Sequence, residues 1–167
     1  GAYVPGGEGV GTLADGTRVY FGHSIAPFGA MAELTLVADS EVWPCPAHVP
    51  DDQVIALAIS GTGALIPLEE ARIQPGENVL ILGATGPVGQ IALQLARVMG
   101  AGHVVAAARS ADKLAALKTR GWADATVQLG TGDDEAALKA ASNGGFDVVL
   151  DVIYGPPAEA AMRATRD

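Results

Sequence analysis

A chain of 167 residues is long enough to bury a substantial core, and 49% hydrophobic content with only 5% aromatic residues fits an Ala-, Val- and Gly-rich α/β protein. Ten basic residues against 19 acidic ones leave a net charge of −9, which argues against a nucleic-acid duplex or an anionic membrane surface as partner. Cys45 is the single cysteine, so no intrachain disulfide and no four-cysteine zinc site can form, and a reducing cytoplasm is the expected setting.

In chain order, Gly1 to Val10 has neither a basic start nor an apolar run, so it does not read as a signal sequence, and an opening without methionine is expected of a piece of a longer chain. Residues 1 to about 50 read as irregular β structure. Short strands are expected over 10–13 and 18–21 around the turn Ala14-Asp15-Gly16, and another over 31–37 after Phe28-Gly29. The prolines force Val42-Trp43-Pro44-Cys45-Pro46 to be extended. Asp51 is placed to cap a helix over 52–59. Ser60-Gly61-Thr62-Gly63 is expected to break that helix, and a second one over 64–72 leads to the turn Gln74-Pro75-Gly76-Glu77.

From Asn78 onward the rhythm becomes alternating strand and helix. Strands are read at 78–83, 104–108, 125–129 and 146–152, and helices at 87–99, 111–120, 133–142 and 157–166. Four βα units in series predict a parallel sheet with right-handed crossovers and helices on both faces. The longest uncharged stretch, Asn78 to Ala96, contains glycines, Pro87, Gln90 and Gln94, which assign it to a strand and a helix instead of a membrane span.

The turn inside that stretch is Gly83-Ala84-Thr85-Gly86-Pro87-Val88-Gly89. Between a buried strand and an amphipathic helix, G-x-x-G-x-x-G gives each glycine a physical task. Gly83 permits the tight turn, Gly86 lets the backbone approach a pyrophosphate, and Gly89 lets the helix pack closely, with the anion on the helix's free N–H groups. Ala84 makes this a variant of the dinucleotide fingerprint, and without a following Lys-Ser or Lys-Thr it is no P-loop.

The second strand ends in Ala108-Arg109-Ser110, where an NAD site would carry an acidic residue on the ribose hydroxyls. Arginine stands there instead. Ser110 is placed to cap the next helix, and Lys113 projects from its first turn, where a cation opposes the dipole unless an anion sits nearby. Arg109, Ser110 and Lys113 thus form a candidate 2′-phosphate pocket favouring NADP(H) over NAD(H). The alternatives are that the two cations are ordinary surface charges, and that Asp112 reaches a ribose hydroxyl of NAD. The fourth strand ends in Asp151-Val152-Ile153-Tyr154-Gly155, a loop expected to line the nicotinamide side, where Tyr154 is either a proton donor or a packing residue.

These blocks resemble the medium-chain dehydrogenase/reductase superfamily, in particular its zinc-independent quinone oxidoreductase branch. The matching signatures are Val4-Pro5-Gly6 with Gly9-Val10-Gly11, Asp15-Gly16-Thr17-Arg18-Val19-Tyr20 and Phe28-Gly29-Ala30-Met31-Ala32-Glu33. They continue through Gln74-Pro75-Gly76-Glu77, the glycine turn and its helix, Ala107-Ala108-Arg109-Ser110 and Phe146-Asp147-Val148-Val149-Leu150-Asp151. The resemblance implies part of a GroES-like β domain over 1–68, followed by an incomplete Rossmann domain over 69–167. It also implies a member roughly twice this length. Thr62 falls where the family's cofactor-facing threonine or serine usually lies. Expected cofactor contacts are therefore Thr62, Gly83, Ala84, Thr85, Gly86, Pro87, Val88, Gly89, Arg109, Ser110, Lys113, Ile153 and Tyr154.

The resemblance implies no catalytic zinc, since zinc-dependent relatives carry a cysteine ligand in the segment just before the Rossmann domain and Ala56 to Ile66 has none, while Cys45 with His48 supplies only two donors. The implied function is an NADPH-dependent oxidoreductase passing a hydride to a quinone or conjugated carbonyl. The alternatives are a zinc-free alcohol dehydrogenase or enoyl reductase of the same superfamily, or a non-catalytic NADPH-binding sensor. A homodimer is the further expectation that the resemblance adds.

Overall fold

The computed structural model describes residues 1–166, and the chain divides into two compact units between Ile59 and Ser60. In the first unit, β1 (Gly9–Thr12), β2 (Arg18–Phe21) and β3 (Val42–Pro44) form an antiparallel sheet in the order β1-β2-β3. The segment 31–37 is not a strand, contrary to its apolar alternation. Its backbone is engaged at the front, with Met31 N–H donating to Pro5 O (3.0 Å), and only Val37 forms a bridge, to Ser24. Leu34 is left 88% exposed.

The expected break at residues 60–63 is also absent, and a single helix, α1, runs Asp51–Ala71 through both glycines and Pro67. An internal glycine costs about 1 kcal/mol but is no stop signal by itself. Burial of Ala64 and Leu68 in the core of the second unit opposes that cost, and the left-handed φ of 54° that ends the helix comes only at Arg72. This packing also places the division between units inside the helix and not at Leu68. Asp51 is the helix's first residue and pairs with Arg18 Nε (2.5 Å). By length and composition α1 is apolar enough to cross a membrane.

The second unit holds four parallel strands, β4 (Asn78–Leu82), β5 (His103–Ala108), β6 (Ala125–Gln128) and β7 (Val148–Asp151), in the order β6-β5-β4-β7. Between them run α2 (Pro87–Val98), α3 (Ala111–Thr119) and α4 (Asp134–Ala141), and α5 (Pro156–Met162) follows β7. Side chains alternate across the sheet and fill two cores. Val79, Ile81, Val104 and Ala106 pack with α2 and α3, whereas Leu80, Leu82, Val105 and Ala107 pack with Leu138 of α4 and Ala160 and Ala161 of α5. This is the doubly wound arrangement that the alternating sequence predicts. The strand order reverses between β4 and β7, so the crevice beyond their carboxyl ends is where such sheets receive ligands.

At the opposite end of the sheet, one Asp124 carboxylate oxygen accepts from Val104 N–H and from Arg97, each at 2.7 Å. Partial burial opposes ionisation, but the two hydrogen bonds and the Arg97 charge outweigh it and hold the carboxyl below its usual range. A carboxyl lowered by folding adds stability that is complete above its unfolded value, about 3.9, and is lost as pH falls through the folded value. Asp124→Asn is therefore expected to cost about 1 kcal/mol near neutrality, a figure reduced for solvent screening of this half-exposed pair. The difference from wild type should shrink below about pH 4, as read by urea denaturation across pH.

Candidate functional site

The C-terminal ends of all four parallel strands open onto one cavity of about 710 Å³. Gly83, Thr85 and Gly86 after β4, Ala108 and Arg109 at β5, Leu129 and Gly130 after β6, and Val152, Ile153 and Tyr154 after β7 line it, with Asp134, Pro156 and Pro157. The apolar run 79–82 of β4 delivers the glycine turn to the centre of this rim.

The three glycines have distinct surroundings. Gly83 sits at φ +73°, and a Cβ there would stand 2.7 Å from the Val152 and Ile153 γ-methyls. At Gly89 a Cβ would stand 2.4 Å from Gly83 O and 2.6 Å from Ala84 Cα, so glycine is what lets α2 approach the turn. Around Gly86 the protein itself sets a weaker demand, since a Cβ would meet only Gly83 O at 3.4 Å. Room at Gly86 serves whatever occupies the cavity. Pro87 opens α2 with Gly86 as N-cap, and the first turn leaves the Val88 and Gly89 N–H groups without intrahelical acceptors. Backbone donors, a positive helix end and an unobstructed Gly86 fit the pyrophosphate of a dinucleotide.

The remaining expected contacts separate into groups. Arg109 is exposed and lines the cavity, while its carbonyl accepts from Gln128 Nε2 (3.1 Å). Lys113 lies in an adjoining recess of about 250 Å³ with Gln90, Ala116, Leu117 and Arg120, and Thr85 borders both spaces. Arg109 and Lys113 thus border neighbouring hollows that meet at Thr85. Ser110 is the N-cap of α3 in backbone geometry, but its side chain makes no capping bond, and it lines neither hollow. Ala84 is fully buried, a packing residue of the turn, and Val88 packs against the core. Thr62 lies exposed within α1, not in a turn, and is not among the cavity's lining residues.

Tyr154 is 84% exposed at the cavity mouth, so it does not pack among the described residues. It takes a left-handed φ of +61°, and Asp151 Oδ1 accepts both the Ile153 N–H (2.8 Å) and the Tyr154 N–H (3.0 Å). Asp151 and the cavity residues Gly130 and Asp134 are not legible in the sequence as site residues. Asp134 Oδ1 accepts from Gly130 N–H (2.8 Å), a short-range turn whose only sequence signal is a Gly-Thr-Gly-Asp-Asp loop. Among the described residues no three His, Cys, Asp or Glu side chains gather to hold a metal.

The model of the zinc-binding dehydrogenase family matches residues 87–167. Over 157 residues the chain is 33% identical to the mouse (Mus musculus) quinone oxidoreductase-like protein 2, covering 93% of this chain and 44% of that protein. Mouse prostaglandin reductase-3 is 32% identical over 167 residues, with 95% of this chain and 43% of that protein covered. Among solved structures, the quinone oxidoreductase of Thermus thermophilus, described also in complex with NADPH, superposes with a TM-score of 0.77 at 31% identity. That match covers 96% of this chain and 51% of the other. The chain belongs to the medium-chain dehydrogenase/reductase superfamily. It spans less than half the length of these curated superfamily relatives, so what they do as whole proteins extends beyond the segment shared here.

Proposed function

We propose that this member of the superfamily is an NADPH-dependent oxidoreductase that delivers a hydride to a quinone or conjugated carbonyl, without zinc. The observation that carries the reading is the cavity rim, where an unobstructed Gly86 and free helix donors meet the cation Arg109. Support for the substrate class comes from the names of similar proteins, the Thermus thermophilus quinone oxidoreductase, a quinone oxidoreductase-like protein and a prostaglandin reductase. Bound NADPH would supply the hydride. The chain's own part is to hold the pyrophosphate on the Val88 and Gly89 N–H groups, to place Arg109 and Lys113 toward the 2′-phosphate, and to wall the nicotinamide with Val152 and Ile153. The proton that completes the reduction comes from Tyr154 or from water at this open mouth. No step is assigned to zinc in this proposal. A cytoplasmic setting, a homodimer and the absence of nucleic-acid or membrane partners belong to the same proposal, and the net charge of −9 supports the last of these.

Arg109→Glu tests the cofactor choice. It is expected to weaken NADPH binding about 10- to 100-fold while changing NADH binding by less than about threefold, because only NADPH carries the phosphate that the new carboxylate repels. Equal losses for both cofactors would assign Arg109 to general binding. Turnover is tested by following NADPH absorbance with a simple quinone and a simple enone. Consumption of NADPH with either supports the reductase reading, whereas binding without consumption favours a sensor.

A further inference from the structure

The loop after β7 is held in a conformation that its sequence does not favour. Tyr154 at φ +61° is followed by Gly155 at φ +73°, ψ −152°, a region open essentially to glycine alone. A tyrosine at positive φ needs a local restraint, and the structure supplies it from one side chain. Asp151, the last residue of β7, accepts the N–H groups of both Ile153 and Tyr154 on a single oxygen. On the other side Pro156 and Pro157 start α5 and limit the chain's freedom.

The restraint reaches the glycine turn. Asp151 pairs in register with Leu82, the residue before Gly83, and the next two side chains, Val152 and Ile153, lie over Gly83 so closely that no Cβ fits between. Val152, Ile153 and Tyr154 are also the cavity's wall on this side. Asp151 itself is not among the lining residues, so it acts through the loop.

We propose that Asp151 is a positioning residue of the dinucleotide site, holding the 152–155 wall against Gly83 where the strand order reverses. This rests on the dinucleotide reading above. Without the Asp151 carboxylate, Tyr154 relaxes to negative φ, the Val152 and Ile153 methyls leave Gly83, and the pocket loses one wall while the sheet stays intact. Asparagine offers the same acceptor and should preserve the wall. Glycine at 154 adopts positive φ without cost and should make the carboxylate dispensable.

The test compares Asp151→Asn, Asp151→Ala, Tyr154→Gly and Asp151→Ala/Tyr154→Gly in the full chain by three readouts. These are NADPH affinity from nicotinamide fluorescence, amide hydrogen exchange at Ile153 and Tyr154, and the urea midpoint. Asp151→Ala should bind NADPH about tenfold more weakly and exchange those amides about tenfold faster, at an almost unchanged midpoint. Asp151→Asn should stay within about threefold of wild type, and the double variant should bind NADPH within about threefold of Tyr154→Gly alone. Wild-type affinity in Asp151→Ala, or a double variant about tenfold weaker than Tyr154→Gly alone, overturns the proposal and leaves the dinucleotide reading standing. A wild-type protein that binds no NADPH removes both.

Discussion

Replacing Gly89 by valine is expected to raise the dissociation constant for NADPH at least about 100-fold and to lower stability by about 1–3 kcal/mol. A Cβ at this position would lie 2.4 Å from Gly83 O, and that oxygen is not free to retreat. The N–H groups of Gly83 and Ala84 both donate to Ala107 O, at 2.9 and 3.2 Å, which ties the turn to β5. The helix must move instead, and α2 carries the Val88 and Gly89 donors away from the anion with it. Gly86→Ala separates the two effects. Its Cβ would meet only Gly83 O at 3.4 Å, so stability should change by less than about 0.5 kcal/mol while NADPH binding still weakens. A Gly89→Val protein with wild-type affinity would mean that the turn does not set the anion site, and a Gly86→Ala protein with wild-type affinity would mean that the cavity side of Gly86 stays clear of the cofactor.

Asn78→Asp is expected to be strongly destabilising, costing about 3–5 kcal/mol out of a total of roughly 5–15. Asn78 is buried at the start of β4, and its side-chain amide donates to the carbonyls of Ser142 (2.8 Å) and Gly145 (2.9 Å), with Asn143 O at 3.3 Å. These carbonyls belong to the end of α4 and the following turn, where Asn143, Gly144 and Gly145 all have positive φ. A helix end leaves such acceptors without intrahelical donors, and Asn78 satisfies them. Aspartate would replace two donors by a buried anion facing three oxygens. Its neighbour Asp147 already brings a carboxylate to the Asn78 N–H at 2.7 Å, so like charges would add to the loss. Urea denaturation measures this directly, and a loss below about 1 kcal/mol would contradict the anchoring role.

What can be read from the sequence follows from the range of the interactions. The four βα units are legible because period and turn chemistry are local, and the glycine turn because its spacing reports its own backbone geometry. Asn78 is legible only as the first residue of a strand, since its partners lie more than sixty residues away. The continuity of α1 is hidden for the same reason. Ser60-Gly61-Thr62-Gly63 is locally a break, and only burial of Ala64 and Leu68 in the distant core overrides it. Residues 31–37 carry a strand's composition, yet the backbone of Met31 is spent on Pro5. Arg109 and Tyr154 stand out by their positions after strands, which is where a doubly wound sheet collects its ligands. Asp151 does not, because a strand-ending aspartate gives no hint that its carboxylate restrains the three residues that follow.

The rim formed by the glycine turn, Arg109 and the 152–154 loop is proposed above all to receive a nicotinamide dinucleotide. A titration of the purified protein with NADPH and with NADH, following nicotinamide fluorescence, tests this most directly. Saturable binding, tighter for NADPH and lost in Gly89→Val, is the result predicted. Absence of saturable binding by either cofactor in a folded wild-type protein would contradict it, because the free donors of α2 and the opening at Gly86 would then serve some other ligand.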